Sequence, residues 1–172
     1  MRLFISIDPP RNIQQSLHRH LACTHPVKWT KLDQIHLTLA FLGEQPGFAV
    51  PKLSAALSQI RFSPFQLTTD KVNHFRNGAI WMGIKPNEAL EQLHREIKQT
   101  LEKAGFSEPD NRPFTPHITL CSHKGDSRSA AEELNLAFEE GELSFTVDRF
   151  QLKRSVLQQD GAIHNIEAEF RS

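Results

Sequence analysis

The sequence predicts an α+β fold built on antiparallel sheets in two related lobes. Three observations lead there. Helical and strand patterns interleave, yet several strands read as hairpin neighbours rather than parallel partners. Ile35-His36-Leu37-Thr38-Leu39 recurs as Pro116-His117-Ile118-Thr119-Leu120, about half a chain length later. The 172 residues, 38% hydrophobic and 23% charged, have the composition of one globular domain or two small lobes sharing a core.

Each element has a local reason. Residues 2–7 combine aliphatic and aromatic side chains and stop at Pro9-Pro10, the pattern of a buried strand. Ile13, Leu17 and Leu21 then recur at helical spacing, predicting a helix from about 10 to 23. Residues 27–30 read as a short strand and 34–42 as a longer one, closed by the turn-forming run at 43–47. Val50, Leu53, Leu57 and Ile60 make one stripe on a helix at about 49–60. Strands at 65–75 and 79–84 flank Arg76-Asn77-Gly78, a hairpin turn signal. The next helix has the apolar face Leu90, Leu93, Ile97, Leu101 and Ala104, with Gly105 as its stop. A loop at 109–116 leads to a strand at 117–122, a short helix at 129–138 and strands at 142–157 and 162–170.

Composition excludes several function classes. Twenty basic and twenty acidic residues give a formal charge of zero, which argues against a broad basic surface for long nucleic acid, since such binding scales with phosphates neutralised. No stretch approaches the ~18 apolar residues of a membrane span, and the five-residue apolar run near the N-terminus is short for a signal peptide. The expected location is the cytoplasm. Cys23 and Cys121, without CxxC spacing, read as free thiols.

The paired tetrads carry the chemistry. Chance gives roughly 0.5 His-x-Thr triplets in such a chain, and about 0.02 once an apolar x and a following Leu are required, so two are significant. On a strand, His36 and Thr38 share one face while Ile35, Leu37 and Leu39 share the other, and His117 and Thr119 behave likewise. Each tetrad then presents an imidazole beside a hydroxyl over an apolar underside. If the halves are related by a pseudo-two-fold, the polar faces meet across a cleft. Two imidazoles can serve as acid and base near neutral pH, and threonine hydroxyls can donate to the non-bridging oxygens of a phosphate. No second ligand near His-x-Thr, no HExxH and no GxSxG elbow is present, so a metal site or a serine nucleophile is not expected.

The tetrads, with residues 2–7 before Pro9-Pro10, the run 29–43 (WTKLDQIHLTLAFLG), residues 112–120 (RPFTPHITL) and Ser155-Val156-Leu157, resemble the two-histidine phosphoesterase superfamily, and within it the RNA 2′,3′-cyclic phosphodiesterases, the 2′-5′ RNA ligase-like family. The resemblance spans essentially the whole chain. It implies one bilobal domain over residues 1–172, with two antiparallel sheets, flanking helices and the active cleft between lobes. It implies hydrolysis of a terminal 2′,3′-cyclic phosphate to a 2′-phosphate without metal or other cofactor, with 2′-5′ joining in the reverse sense as a family alternative. His36 would be the proton donor, His117 the acceptor, and Thr38 and Thr119 would hold the phosphate. Expected partners are RNA 3′ ends or small 2′,3′-cyclic nucleotides, with no DNA and no membrane, and the protein is expected to be a monomer. A non-catalytic binding module is the remaining alternative.

Two departures stand out. Many relatives carry an Arg just after the second tetrad, where Cys121-Ser122-His123 here precede Lys124; in the tail, where an aromatic Tyr is common, Gly161-Ala162-Ile163 leads to His164. Lys124, Arg154 and Arg112 are the candidate cations for the substrate, and His74 is a candidate for the cleft rim. Strict alternation puts Phe41 on the core side with Leu37 and Leu39, so it is not expected to stack on a base. His18, His20, His25 and His94 are read as having no catalytic part, and Trp81 as core.

Overall fold

The computed structural model describes residues 1–18, 23–109, 112–138 and 141–172. Along the chain come β1 (Arg2–Ile7), α1 (Arg11–Leu17), β2 (Lys28–Trp29), a 3-10 turn (Leu32–Gln34), β3 (Leu37–Glu44), α2 (Ala49–Leu57), β4 (Phe65–His74) and β5 (Ala79–Ile84). Then follow α3 (Glu88–Lys103), β6 (His117–Ser122), α4 (Ser127–Ala137), β7 (Ser144–Val147), β8 (Arg149–Gln158) and β9 (Gly161–Arg171). This is the α+β class with antiparallel pairing that the patterns predict.

The strands run in the order β7-β4-β5-β6-β3-β1-β8-β9, with β2 beside β6. The two expected sheets are therefore the two arms of one path, and β3 meets β6 through one register pair, Leu37 with Ile118. Connectivity repeats across that seam. The chain goes from β1 through α1 to its neighbour β3, and from β5 through α3 to its neighbour β6. The first tetrad thus lies at the entry to β3 and the second within β6, and each of these central strands is reached through a helix.

Helix α3 illustrates how the elements are specified. The Asn87 side chain accepts a hydrogen bond from the Leu90 amide at 2.9 Å, satisfying an orphan donor of the first turn. Leu90, Leu93, Ile97 and Leu101 are buried, each stabilising by about 1.5–3 kcal/mol. Gly105 ends the helix at φ +85°. In the β4–β5 turn, Gly78 has φ +94°, and a Cβ there would lie 2.4 Å from the His123 carbonyl oxygen, so only glycine fits.

Several boundaries differ from the expected ones. Helix α1 stops at Leu17, while Leu21 and His20 lie outside the described residues. The strand expected from Gln34 begins at Leu37, because the Gln34 amide bonds Lys31 O at 2.9 Å and Leu32–Gln34 winds as a 3-10 turn. Asp148 divides the expected strand 142–157 into β7 and β8. None of the helices among the described residues is long and apolar enough to cross a membrane.

One difference reaches the site. The β1–β3 register slips twice, between Leu3 and Phe4 and between Ile5 and Ser6, so that Ser6 pairs Thr38 and Phe4 pairs Phe41. The bulge at Leu39 reverses the alternation. Phe41, expected in the core, consequently stands on the same face as Thr38 and is 57% exposed.

Candidate active site

The seam determines what the tetrads can do together. Leu37 opposes Ile118 in an antiparallel pair and both are fully buried, so the flanking residues His36, Thr38, His117 and Thr119 emerge on the other face, all partly exposed. Antiparallel register sets His36 across from Thr119 and Thr38 across from His117. The two histidines then sit on a diagonal of about 7–8 Å at the backbone, a span their side chains can close around one phosphate.

Both rings are held the same way. The His36 Nδ1–H donates to the Gln34 carbonyl at 2.6 Å, and the His117 Nδ1–H donates to the Thr115 carbonyl at 2.7 Å. In each case the carbonyl lies two residues upstream, where the chain enters the strand. Nδ1 is thereby committed as a donor, and Nε2 is left as the nitrogen available for proton transfer. His36 Nε2 lies 3.0 Å from Thr38 Oγ1, which donates to it when the ring is neutral. Buried Gln14 on α1 donates to the Ile35 carbonyl at 2.9 Å, anchoring the approach to His36.

An aromatic ring from the neighbouring strand backs each imidazole. Phe4 on β1 lies 5.3 Å from His36, and Trp81 on β5 lies 5.5 Å from His117, with Phe75 edge-on at 5.1 Å. Trp81 is buried, yet its ring faces His117 and its Nε1 has no hydrogen-bond partner among the described residues. Gly83 is the register partner of His117 and places no side chain beside that ring.

The surroundings of His36 push its pKa from 6.5 down to about 4, mainly because burial penalises the charged ring, with the Lys153, His164 and His117 charges adding to the effect and the bond to Gln34 opposing it. His36 is therefore neutral at neutral pH.

Lys153 and His164 are the residues that sequence reasoning missed or left unassigned. Phe4 pairs Lys153 across β1–β8, so Lys153, rather than Arg154, has the parity that faces the site. Its side chain is 3% exposed, ion-paired to Asp8, with Nζ 5.9 Å from the centre of the Phe4 ring. Arg154 points to the other face and pairs with Glu167 at 3.2 Å. The His164 ring stands edge-on to His36 at 5.4 Å and to Phe4 at 4.9 Å, with a buried Nδ1 lacking a partner among the described residues. Two cross-strand rows result: Thr38, Ser6, Gln151 and Glu169, and beside it Phe41, Phe4, Lys153 and Ile166.

One other expected residue lies apart from this group. His74 shares the face of Ile80, its register partner, and its Nδ1 is 3.0 Å from Ser127 Oγ at the start of α4, away from the histidine face. Lys124 and Arg112 are exposed on loops. The signal for Lys153 was available in the sequence as strand parity along 149–158, but only once the β1–β8 register is known.

Comparison with known proteins agrees with this fold. The model of a family described as the 2′-5′ RNA ligase superfamily matches residues 9–158. The chain is similar to proteins named RNA 2′,3′-cyclic phosphodiesterase from Archaeoglobus fulgidus, 28% identical over 95% of this chain and 96% of the relative, and from Escherichia coli K12, 33% identical over 90% and 86%. Among solved structures it superposes on E. coli LigT in apo form with a TM-score of 0.81 and 28% identity, over 99% of this chain and 96% of that one. A second LigT structure, complexed with 3′-AMP, gives a TM-score of 0.76 at 28% identity, over 99% and 97%.

Proposed function

Because the chain belongs to the 2′-5′ RNA ligase superfamily, we propose that it hydrolyses terminal RNA 2′,3′-cyclic phosphates to 2′-phosphates, with His36 and His117 as the acid–base pair. The observation that carries this reading is the diagonal pairing of two histidine–threonine couples across one seam, each histidine with Nδ1 bound to the carbonyl two residues upstream. Residues 1–172 act as one bilobal domain with one tetrad per half, a view supported by a buried cluster that draws on both arms.

In the reaction, water attacks phosphorus opposite the 3′ oxygen. His117 Nε2 takes the proton from water, the P–O3′ bond breaks, and His36 gives its Nε2 proton to the departing 3′ oxygen. The product is a 2′-phosphomonoester with a free 3′-hydroxyl, and exchange with solvent resets both rings. Thr38 and Thr119 hydroxyls donate to the non-bridging oxygens, where negative charge concentrates.

A donor must first be protonated, and burial keeps the His36 ring neutral. The cyclic phosphate supplies the remedy: an anion beside Nε2 favours the imidazolium and raises its pKa. Binding thus charges the acid only when there is a phosphate to cleave. The Lys153 ammonium, neutralised by Asp8, contributes a buried positive end to the same wall. RNA 3′ ends and small 2′,3′-cyclic nucleotides fit the charge balance of the chain, since one terminal phosphate needs no extended basic surface. The protein acts as a cytoplasmic monomer in this reading.

Product analysis on an RNA oligomer ending in a 2′,3′-cyclic phosphate tests it directly. The expected product is the 2′-phosphate, with His36→Ala or His117→Ala reducing turnover by about 10²–10⁴-fold while circular dichroism stays unchanged. A 3′-phosphate, a 2′-5′ junction as the main product, or full activity in either variant would each refute it.

A further inference from the structure

A second cluster lies at the far end of β6, outside the histidine site. The two cysteines of the chain each begin a Cys-x-His triplet, Cys23-Thr24-His25 and Cys121-Ser122-His123, a coincidence with a chance of about 0.003 for a chain of this histidine content. Pairing of β2 with β6, Lys28 with Ser122 and Trp29 with Cys121, brings the two triplets together. Glu133 on α4 completes the group.

Cys23 Sγ, His25 Nδ1 and a Glu133 carboxylate oxygen lie within 4.8 Å of one another. Cys23 Sγ is 3.6 Å and His25 Nδ1 2.8 Å from Glu133 Oε2. The first falls within the roughly 3.3–3.7 Å between ligand atoms of a tetrahedral ion with bonds of about 2.0–2.3 Å, and the second, a hydrogen bond, would open by about 0.5 Å on binding. The His123 ring is 5.8 Å from that of His25, centre to centre. His123 stands outside the 4.8 Å group; its Nδ1–H donates to the Pro26 carbonyl at 3.0 Å, which leaves Nε2 as the nitrogen a side-chain rotation would bring to an ion. The other Glu133 oxygen accepts from the Thr24 amide at 2.7 Å, so the carboxylate is already oriented. His25 and Glu133 side chains are 29% and 25% exposed, leaving a path for entry.

We infer that Cys23, His25 and Glu133, with His123 as fourth ligand, form a tetrahedral site for a zinc-type divalent ion. One thiolate, two imidazoles and a carboxylate suit zinc or cobalt rather than magnesium or calcium, which take oxygen ligands. Cys121 lies behind the site in the core and is not a ligand. The ion would clasp the segment before β2 to β6 and α4. Its role is structural, because the ligands are distinct from the two tetrads and hydrolysis needs none of them. Binding releases the Cys23 proton, so affinity rises with pH.

The test uses the full chain stripped with a chelator and titrated with Co(II), with Zn(II) as competitor and calorimetry for stoichiometry. One ion per chain is expected, with a thiolate-to-cobalt charge-transfer band and tetrahedral ligand-field bands that Zn(II) abolishes, and a higher Tm in Zn(II). Cys23→Ser should remove the charge-transfer band, and the surface variant Glu133→Gln should weaken binding more than about tenfold. The His36→Ala, His117→Ala double variant should bind as wild type, which separates this site from the catalytic proposal. Absence of the band in folded wild-type protein, its persistence in Cys23→Ser, unchanged affinity in Glu133→Gln, or loss of binding in the double histidine variant would each overturn the inference.

Discussion

Acidification offers the sharpest check on the environment of His36. Its pKa falls from 6.5 in an unfolded chain to about 4 in the folded protein. Below pH 6.5 the unfolded chain gains a proton that the folded one refuses, so stability is complete above that value and is lost as pH falls toward 4. Each pH unit inside the window costs about 1.4 kcal/mol. Between pH 7.5 and pH 5 the linkage integral comes to about 2 kcal/mol, and the full shift corresponds to about 3.4 kcal/mol. Urea unfolding, followed by the fluorescence of Trp29 and Trp81, should show wild type losing about 2 kcal/mol more than His36→Gln over that interval. Depressed carboxylates such as Glu133 and Glu169 add an acid loss at lower pH, but they are common to both proteins and cancel. Equal losses in the two proteins would mean that the His36 ring is hydrated, and the account of a substrate-charged acid would fall with it.

The same proton distinguishes donor from acceptor. With sulfur replacing the 3′ bridging oxygen, the leaving group departs as a thiolate without protonation, so the rate loss of His36→Ala should shrink by at least tenfold while that of His117→Ala persists; the opposite pattern would exchange the two roles. Phe41→Ala should raise KM for an RNA end by about 5–150-fold, equivalent to 1–3 kcal/mol of base stacking, with little change in kcat, and an unchanged KM would remove Phe41 from the substrate path. Leu93→Ala, which empties a buried position on α3, should cost about 2–5 kcal/mol in urea unfolding, and a loss below 1 kcal/mol would contradict the packing described.

The tetrads were legible because a strand converts a two-residue spacing directly into a shared face, and because the motif occurs twice. The elements were legible for a similar reason, since Leu90, Leu93, Ile97 and Leu101 state a helical period without outside help. What escaped depends on register. Phe41 reads as core under strict alternation, and only the bulge at Leu39, a property of the β1–β3 pairing, turns it outward. Lys153 and Arg154 are neighbours with the same charge, and the partner strand decides which one faces Phe4. His74 was placed near the cleft because it adjoins a hairpin, yet its face belongs to α4. Proximity in sequence gave no parity in these cases.

Strands β8 and β9 have a further meaning in the division of work between strands. They supply Lys153 and His164 and cover Phe4 and Ser6. The seam of β3 and β6 brings the two histidines together, whereas β8 and β9 add to the effect of burial the charges of Lys153 and His164 that help depress the His36 pKa. Placing the pair and setting its protonation thus fall to different strands, so substitutions in β8 and β9 retune the acid without moving it.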